Sequence, residues 1–152
     1  MSDTTIVRWI LPWPRVGVNH LYVRNRGGGV RLSPAALAWR DIAIVTVRQS
    51  GYRAPSERLA FWLIVWPPAD GRLHDVDNLL KLSLDSICDA LAIDDSTICV
   101  VHAYRREPSP DPRLEIWLEP VVNRGFDWAV MAALKASTLR TVWAPTMEPV
   151  ST

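Results

Sequence analysis

His74-Asp75-Val76-Asp77-Asn78-Leu79-Leu80-Lys81 opens a span in which six aspartates fall between positions 75 and 95, at 75, 77, 85, 89, 94 and 95. Lys81 is the only lysine or arginine among them. Two carboxylates held about 4 Å apart repel by roughly 4 kcal/mol at an effective dielectric near 20. A chain that gathers carboxylates this way neutralises them with a cation or splays them into water. The Asp-x-Asp pair, with Asp94-Asp95 farther on, favours the cation.

An extended Asp75-Val76-Asp77 would turn both carboxylates to one side and Val76 into the core. Asp77 or Asn78 would then cap a helix over about residues 79–91. Leu80, Leu84, Ile87 and Leu91 recur at i, i+4, i+7 and i+11 and predict its buried stripe. Lys81 falls in the first turn, where the helix dipole disfavours a cation. A lysine there makes sense if it faces a phosphate or carboxylates. Ile98-Cys99-Val100-Val101 reads as the next strand, and a helix antiparallel to it would return Asp95 towards Asp75 and Asp77.

Carboxylate oxygens with positions left for water and phosphate suit Mg²⁺ or Mn²⁺. Spacing alone is equally compatible with a solvated acidic helix and its capping aspartates. An EF-hand calcium loop is excluded, because Leu80 stands where that loop needs glycine and Ser86 where it needs a bidentate glutamate.

The net charge of +1 conceals an asymmetry. Residues 1–72 carry ten arginines against four acids, and residues 73–152 carry seven Lys and Arg against twelve acids. The positive part suits a nucleic-acid backbone, and the negative part holds the candidate metal site. Fifteen of the seventeen cationic residues are arginine, the residue that grips phosphate in a bidentate manner. No apolar run is long enough to span a membrane, and the N-terminus lacks the pattern of a signal peptide. Cys88 and Cys99 read as small buried residues of a reducing compartment.

Outward from the acidic block, residues 5–11 read as a first strand, stopped by Pro12 and Pro14. Residues 15–31 carry Arg15, Arg24, Arg26 and Arg31, no acid, and Gly27-Gly28-Gly29 at the tip. They read as a mobile basic loop over phosphates, with Tyr22 and His20 able to stack or hydrogen-bond. Ser33-Pro34 starts a helix to about residue 49, with Leu37, Ile44, Val45 and Val47 as its apolar face and Gly51 as its stop. Arg40 on that helix is placed to reach nucleic acid or to pair with Asp41 or Glu57.

Leu59–Trp66 reads as a strand buried on both faces. Arg72 is placed to bind a phosphate or to soften carboxylate repulsion, and His74 reads as a solvated neighbour of the site. Residues 97–106 and 113–119 read as two further strands, the last with its charges facing water. The expected fold is α+β, a mixed sheet of about four strands with two main helices. Alanine-rich residues 126–142 predict an extra C-terminal helix, so the chain divides into a domain at 1–120 and an extension at 121–152.

Asp75-x-Asp77-Asn78-Leu79-x-Lys81, then Asp85 and Asp94-Asp95-Ser96, resembles the signature of the RusA family of Holliday-junction resolvases. Leu11-Pro12-Trp13-Pro14, Asn19-x-x-Tyr22, the arginine-bearing loop and the helix entry from Ser33 to Arg40 resemble the same family, in the same order. The resemblance covers about residues 6–119. It implies a small homodimeric, magnesium-dependent endonuclease that cuts branched DNA at four-way junctions, in the cytoplasm and associated with the nucleoid. Matched by motif, Asp75, Asp77 and Asp95 fall on the metal-binding carboxylates and Lys81 on the active-site lysine. Arg15, Asn19, Tyr22, Arg24, Arg26 and Arg72 are the expected DNA contacts. Two other readings stand beside it: a non-catalytic, structure-selective DNA-binding protein, and a metal nuclease acting on other branched or single-stranded DNA.

Overall fold

The apolar run Leu59–Trp66 makes a strand, and the remainder of the main sheet is laid on either side of it. The computed structural model describes residues 6–15, 20–56, 58–72, 74–121 and 139–143. In chain order the elements are β1 (Ile6–Pro12), β2 (Tyr22–Arg24), β3 (Val30–Leu32), α1 (Pro34–Gln49), β4 (Leu59–Trp66), α2 (Val76–Leu91), β5 (Ile98–Arg105), β6 (Arg113–Pro120) and β7 (Leu139–Trp143). A short 3-10 turn, Asp95–Thr97, joins α2 to β5.

The main sheet has the order β5-β4-β6-β1-β7. β4 pairs parallel with β5 and antiparallel with β6, and β1 pairs antiparallel with β6 and parallel with β7. The α+β architecture is as expected: four mixed strands and two helices, with β7 added at one edge. Because β4 and β5 are parallel neighbours, α2 is the crossover between them and runs opposite to both.

One sheet face holds the core. Val7, Trp9 and Leu11 of β1 and Phe61, Leu63 and Val65 of β4 are buried with Leu114, Ile116 and Leu118 of β6. Against them lie Ala36, Trp39, Ala43 and Val47 of α1 and Leu79, Leu82 and Ile87 of α2. Each apolar side chain enclosed in this way contributes roughly 1.5–3 kcal/mol over leaving it in water.

α1 starts where Ser33-Pro34 places it. Ser33 Oγ accepts from Ala36 N, and Gly51 follows the end at φ 64°. Its buried face differs from the expected one: Ala36, Trp39, Ala43, Thr46 and Val47 turn inward, while Leu37 and Val45 remain exposed. Trp39 has the largest surface to hide, and its Nε1 donates to Pro12 O at 2.7 Å, which sets the rotation of the helix.

α2 begins three residues earlier than expected. Asp75 is the N-cap, Val76 the first helical residue, and Asp77 lies in the first turn, so the pair is not a two-residue strand repeat. Carboxylates suit this end of a helix, where amide groups are free and the dipole is positive. The buried stripe is correspondingly Leu79, Leu82, Ser83, Ser86, Ile87 and Ala90, with Leu80, Leu84 and Leu91 only partly buried at its margin. Ser86 is tolerated inside because its Oγ donates to Leu82 O at 2.6 Å.

The stretch read as a mobile basic loop contains a hairpin. β2 and β3 pair antiparallel, and Gly28 N donates to Asn25 O while Asn25 N donates to Gly29 O, both at 3.1 Å. Gly28 and Gly29 hold φ of 87° and 82°, a region costing other residues roughly 1–2 kcal/mol each. Gly28→Ala with Gly29→Ala should therefore leave overall stability nearly unchanged but unzip the hairpin. Amide exchange would report it as lost protection confined to residues 22–32.

The last expected strand forms, but its acids do not face water. Glu115 and Glu119 are buried at 7% and 4% exposure. Arg113 lies 3.0 Å from Glu115, and Glu119 accepts from Trp62 Nε1 at 2.6 Å. These contacts belong to the second sheet face, where Arg8, Trp117, Trp62 and His102 form one row across four strands. Trp62 and His102 stack there at 3.8 Å.

The expected C-terminal helix falls mostly on residues 122–138, outside the described residues. Its last positions are instead strand, since Leu139–Trp143 is β7. Leu-Arg-Thr-Val-Trp has the β-branched and aromatic character that favours a strand. Among the described residues no helix is long and apolar enough to cross a membrane.

Candidate functional site

α2 distributes the acidic block along its length. Asp75 occupies the N-cap with extended backbone, yet its side chain makes no capping hydrogen bond. That residue is exposed, and its carboxylate does not serve the free amides of the first turn. Asp77, Lys81, Asp85 and Asp89 follow at four-residue intervals, all exposed along one side of the helix. Lys81 thus stands one turn from Asp77 and one turn from Asp85.

The far end of α2 is equally acidic. Ala92 reverses the chain in the left-handed region at φ 54°. Asp94 then caps the 3-10 turn, accepting from Ser96 N at 2.9 Å. Hydrogen bonds from the Ser96 side chain and backbone hold the Asp94 carboxyl below its ordinary range. Asp95 is exposed beside it.

A cavity of about 490 Å³ opens here, lined by Tyr22, Arg40, Leu82, Asp85, Cys88 and Asp95 among others. Burial pushes the Cys88 thiol up to about 11, and the charges of Asp95, Asp85 and Asp94 add to it. The Tyr22 hydroxyl is raised as well, by burial and then by Asp85. The hairpin residue Tyr22 and the carboxylates of α2 therefore share one electrostatic neighbourhood.

Cys88 is buried and Cys99 exposed, which corrects the expectation that both are enclosed. Burial and the raised pKa both keep the Cys88 thiol from reacting as thiolate. Alkylation at pH 8 should therefore take the exposed Cys99 first and Cys88 much later, as mass spectrometry of timed samples would show.

The sequence-predicted site residues fall into three places. Asp75, Asp77 and Lys81 lie at the start of α2, and Asp95 lies beyond its end. Fourteen residues of helix separate Asp77 from Leu91, about 21 Å at 1.5 Å per residue. The helix does not bring Asp95 back to the pair within one chain. Among the described residues no three His, Cys, Asp or Glu side chains gather as a metal-holding group.

The third place is the basic side. Arg24, at the end of β2, and Arg26, in the turn that follows it, are exposed, Tyr22 is partly buried on β2, and Arg15 is exposed beyond β1. Arg72 is exposed just before the site. Asn19 lies outside the described residues.

Two contacts here had no signal in the local sequence pattern. His74 is buried, with Nε2 3.2 Å from Asp70 Oδ1 and its ring edge-to-face with Trp13 at 5.0 Å. It is therefore not a solvated neighbour of the site. Asp70 also accepts from Arg72 N at 3.0 Å, and this bond and His74 hold its carboxyl below the ordinary range. The Asp70–His74 clasp fixes the approach to Asp75. Arg40 pairs with Asp89, tying α1 to α2, rather than with Asp41, and Glu57, its other expected partner, lies outside the described residues. A 49-residue separation hides that pairing from any local periodicity.

None of the curated proteins matches the chain significantly. The family model for Endodeoxyribonuclease RusA matches residues 12–119, a span that runs from the end of β1 through the hairpin, both helices and the acidic block to β6. The chain belongs to the RusA family of endodeoxyribonucleases.

Proposed function

We propose that this chain is a magnesium-dependent endonuclease that resolves four-way DNA junctions as a homodimer. The observation that carries the reading is the Asp75 carboxylate, exposed at an N-cap and engaged in no capping bond, with Asp77 and Lys81 beside it on the same helix. Family membership supplies the nuclease class.

Asp75, Asp77 and Asp95 offer exposed carboxylate oxygens, the donor type that Mg²⁺ takes, and Mn²⁺ accepts the same set. When bound, the ion would lower the pKa of an attacking water and stabilise charge on the leaving oxygen. Lys81 would meet a phosphate oxygen and offset the repulsion that Asp77 and Asp85 exert on it. Arg24, at the end of β2, and Arg26, in the turn after it, would grip the DNA backbone on either side of the phosphate presented to the acidic helix. Arg15 and Arg72 would extend that basic track, and the Tyr22 ring would stack on a base or sugar.

Arg24→Ala and Arg26→Ala should each weaken junction binding without choosing between sequences. The slope of log affinity against log salt should fall by about 1 per arginine. Titration of a labelled four-way junction at several salt concentrations reads both effects. An unchanged slope in the double variant would remove the hairpin from the DNA interface.

A further inference from the structure

Residues 67–75 carry the chain from the end of β4 to the N-cap of α2. Within them Asp70 closes a turn. Gly71 follows at φ 73°, Asp70 Oδ1 accepts from Arg72 N at 3.0 Å, and His74 Nε2 lies 3.2 Å from the same oxygen. An ionised carboxylate only accepts, so Nε2 carries the proton of that bond. One oxygen thus ties residues 70, 72 and 74 together, and the tie ends one residue short of Asp75.

His74 is 7% exposed, whereas Arg72 and Asp75 near it in the chain are exposed. An apolar residue would fill the same space without desolvating an imidazole. On its other side the ring meets Trp13 edge-to-face at 5.0 Å, and Trp13 packs against the core. The carbonyl before Trp13, that of Pro12, is held in turn by Trp39 Nε1. His74 is therefore gripped between a turn that leads into the acidic block and the ring that leads towards Arg15.

An aspartate at an N-cap ordinarily accepts from the second or third amide of its helix, here that of Asp77 or Asn78. Asp75 makes no such bond. Its helix forgoes a stabilising contact that lies within easy reach.

We propose that His74 and Asp70 are positioning residues that set Asp75 so that its carboxylate serves a divalent cation instead of its own helix, a role that rests on the nuclease reading above. The clasp fixes the backbone entering the N-cap. Without it, the segment before α2 can readjust, and the Asp75 carboxylate can fold back onto the free amides of the first turn. The helix would gain a cap and the site would lose a ligand.

Asp70→Ala and Asp70→Asn separate position from charge. The Asp70 side chain is 38% exposed and stands outside the acidic block, so both chains should fold. Each variant loses the same negative charge, but Asn keeps an oxygen for Arg72 N and His74 Nε2. The readouts are Mn²⁺ binding to the full chain by electron paramagnetic resonance, and the Mg²⁺ concentration at half-maximal nicking of a four-way junction. Asp70→Ala should weaken Mn²⁺ binding and raise the Mg²⁺ midpoint, each by about tenfold. Nicking should recover at saturating Mg²⁺, and junction affinity in EDTA should not change. Asp70→Asn should keep the wild-type values of both. Should Asp70→Ala not fold, His74→Ala against His74→Gln makes the same comparison, with the donor removed and then restored.

Loss in the alanine variant with rescue by the amide upholds the proposal. Equal losses in the two would mean that charge alone acts. Unchanged metal readouts in the alanine variant, whatever its Tm, would mean that the clasp is only structural. Either result overturns the proposal and leaves the nuclease reading intact. If the wild type neither takes up Mn²⁺ nor cuts in Mg²⁺, the nuclease reading fails and this role fails with it.

Discussion

Asp77→Asn should abolish cleavage of a four-way junction while leaving junction binding within about twofold of wild type. The substitution keeps the shape and removes one negative charge from a group exposed in the first turn of α2. An amide is a weaker ligand for a hard cation and leaves the site one charge short. If the ion supplies the activated water and the leaving-group stabilisation, the loss should reach roughly a thousandfold, about 4 kcal/mol of barrier. Binding should persist because the arginines proposed to hold the backbone lie elsewhere, on β2 and the turn that follows it and beyond β1. The helix should persist too, since Asn is tolerated in a first turn and Asp75 keeps the N-cap. Gel shift, nicking rate and circular dichroism together separate these outcomes. Retained cutting would remove Asp77 from the catalytic set.

Trp39→Ala should be strongly destabilising. The side chain is 3% exposed, packs between α1 and the sheet, and donates its indole N–H to Pro12 O at 2.7 Å. Truncation leaves a cavity that rigid neighbours cannot fill, worth about 4 kcal/mol. It also strands the Pro12 carbonyl where β1 gives way to the basic segment. For a chain of 152 residues this corresponds to a fall in Tm of roughly 10 °C. Trp39→Phe keeps most of the volume and loses the hydrogen bond, and should cost about 1–2 kcal/mol. Thermal denaturation of the two variants separates packing from polar anchoring. Equal losses would mean that the hydrogen bond, not the ring, holds α1.

Much of this architecture is legible in the chain itself, and the failures have identifiable causes. Leu59–Trp66 and Pro34–Gln49 sit where an apolar run and a Ser-Pro start place them, because those signals are local. Asp75-Val76-Asp77 misleads, since an alternating triplet reads equally as a strand and as a capped first turn. Once the helix starts at Val76, its buried stripe rotates to Leu79, Leu82 and Ser83. The glycine triplet conceals order, because positive φ at Gly28 and Gly29 is what closes the hairpin. Glu115 and Glu119 look like surface charges until Arg113 and Trp62 are beside them.

For the candidate site, the sequence offers residues but not their placement. The acidic block, Lys81 and the arginines of the hairpin stand out by composition and spacing. Their separation along about 21 Å of α2 follows from where the helix starts and from β5 beginning only after Asp95. Such three-dimensional placement depends on chain path, which periodicity does not carry. The buried His74 and its bond to Asp70 are similar: the residue is visible, its partner is not.

The most direct measurement is incubation of the purified protein with a labelled synthetic four-way junction and a matched linear duplex, each with Mg²⁺ and with EDTA. Paired, symmetric nicks on the junction in Mg²⁺, none in EDTA and none on the duplex are the predicted result. Binding of the junction without cutting in Mg²⁺, or equal cutting of both DNAs, would contradict it.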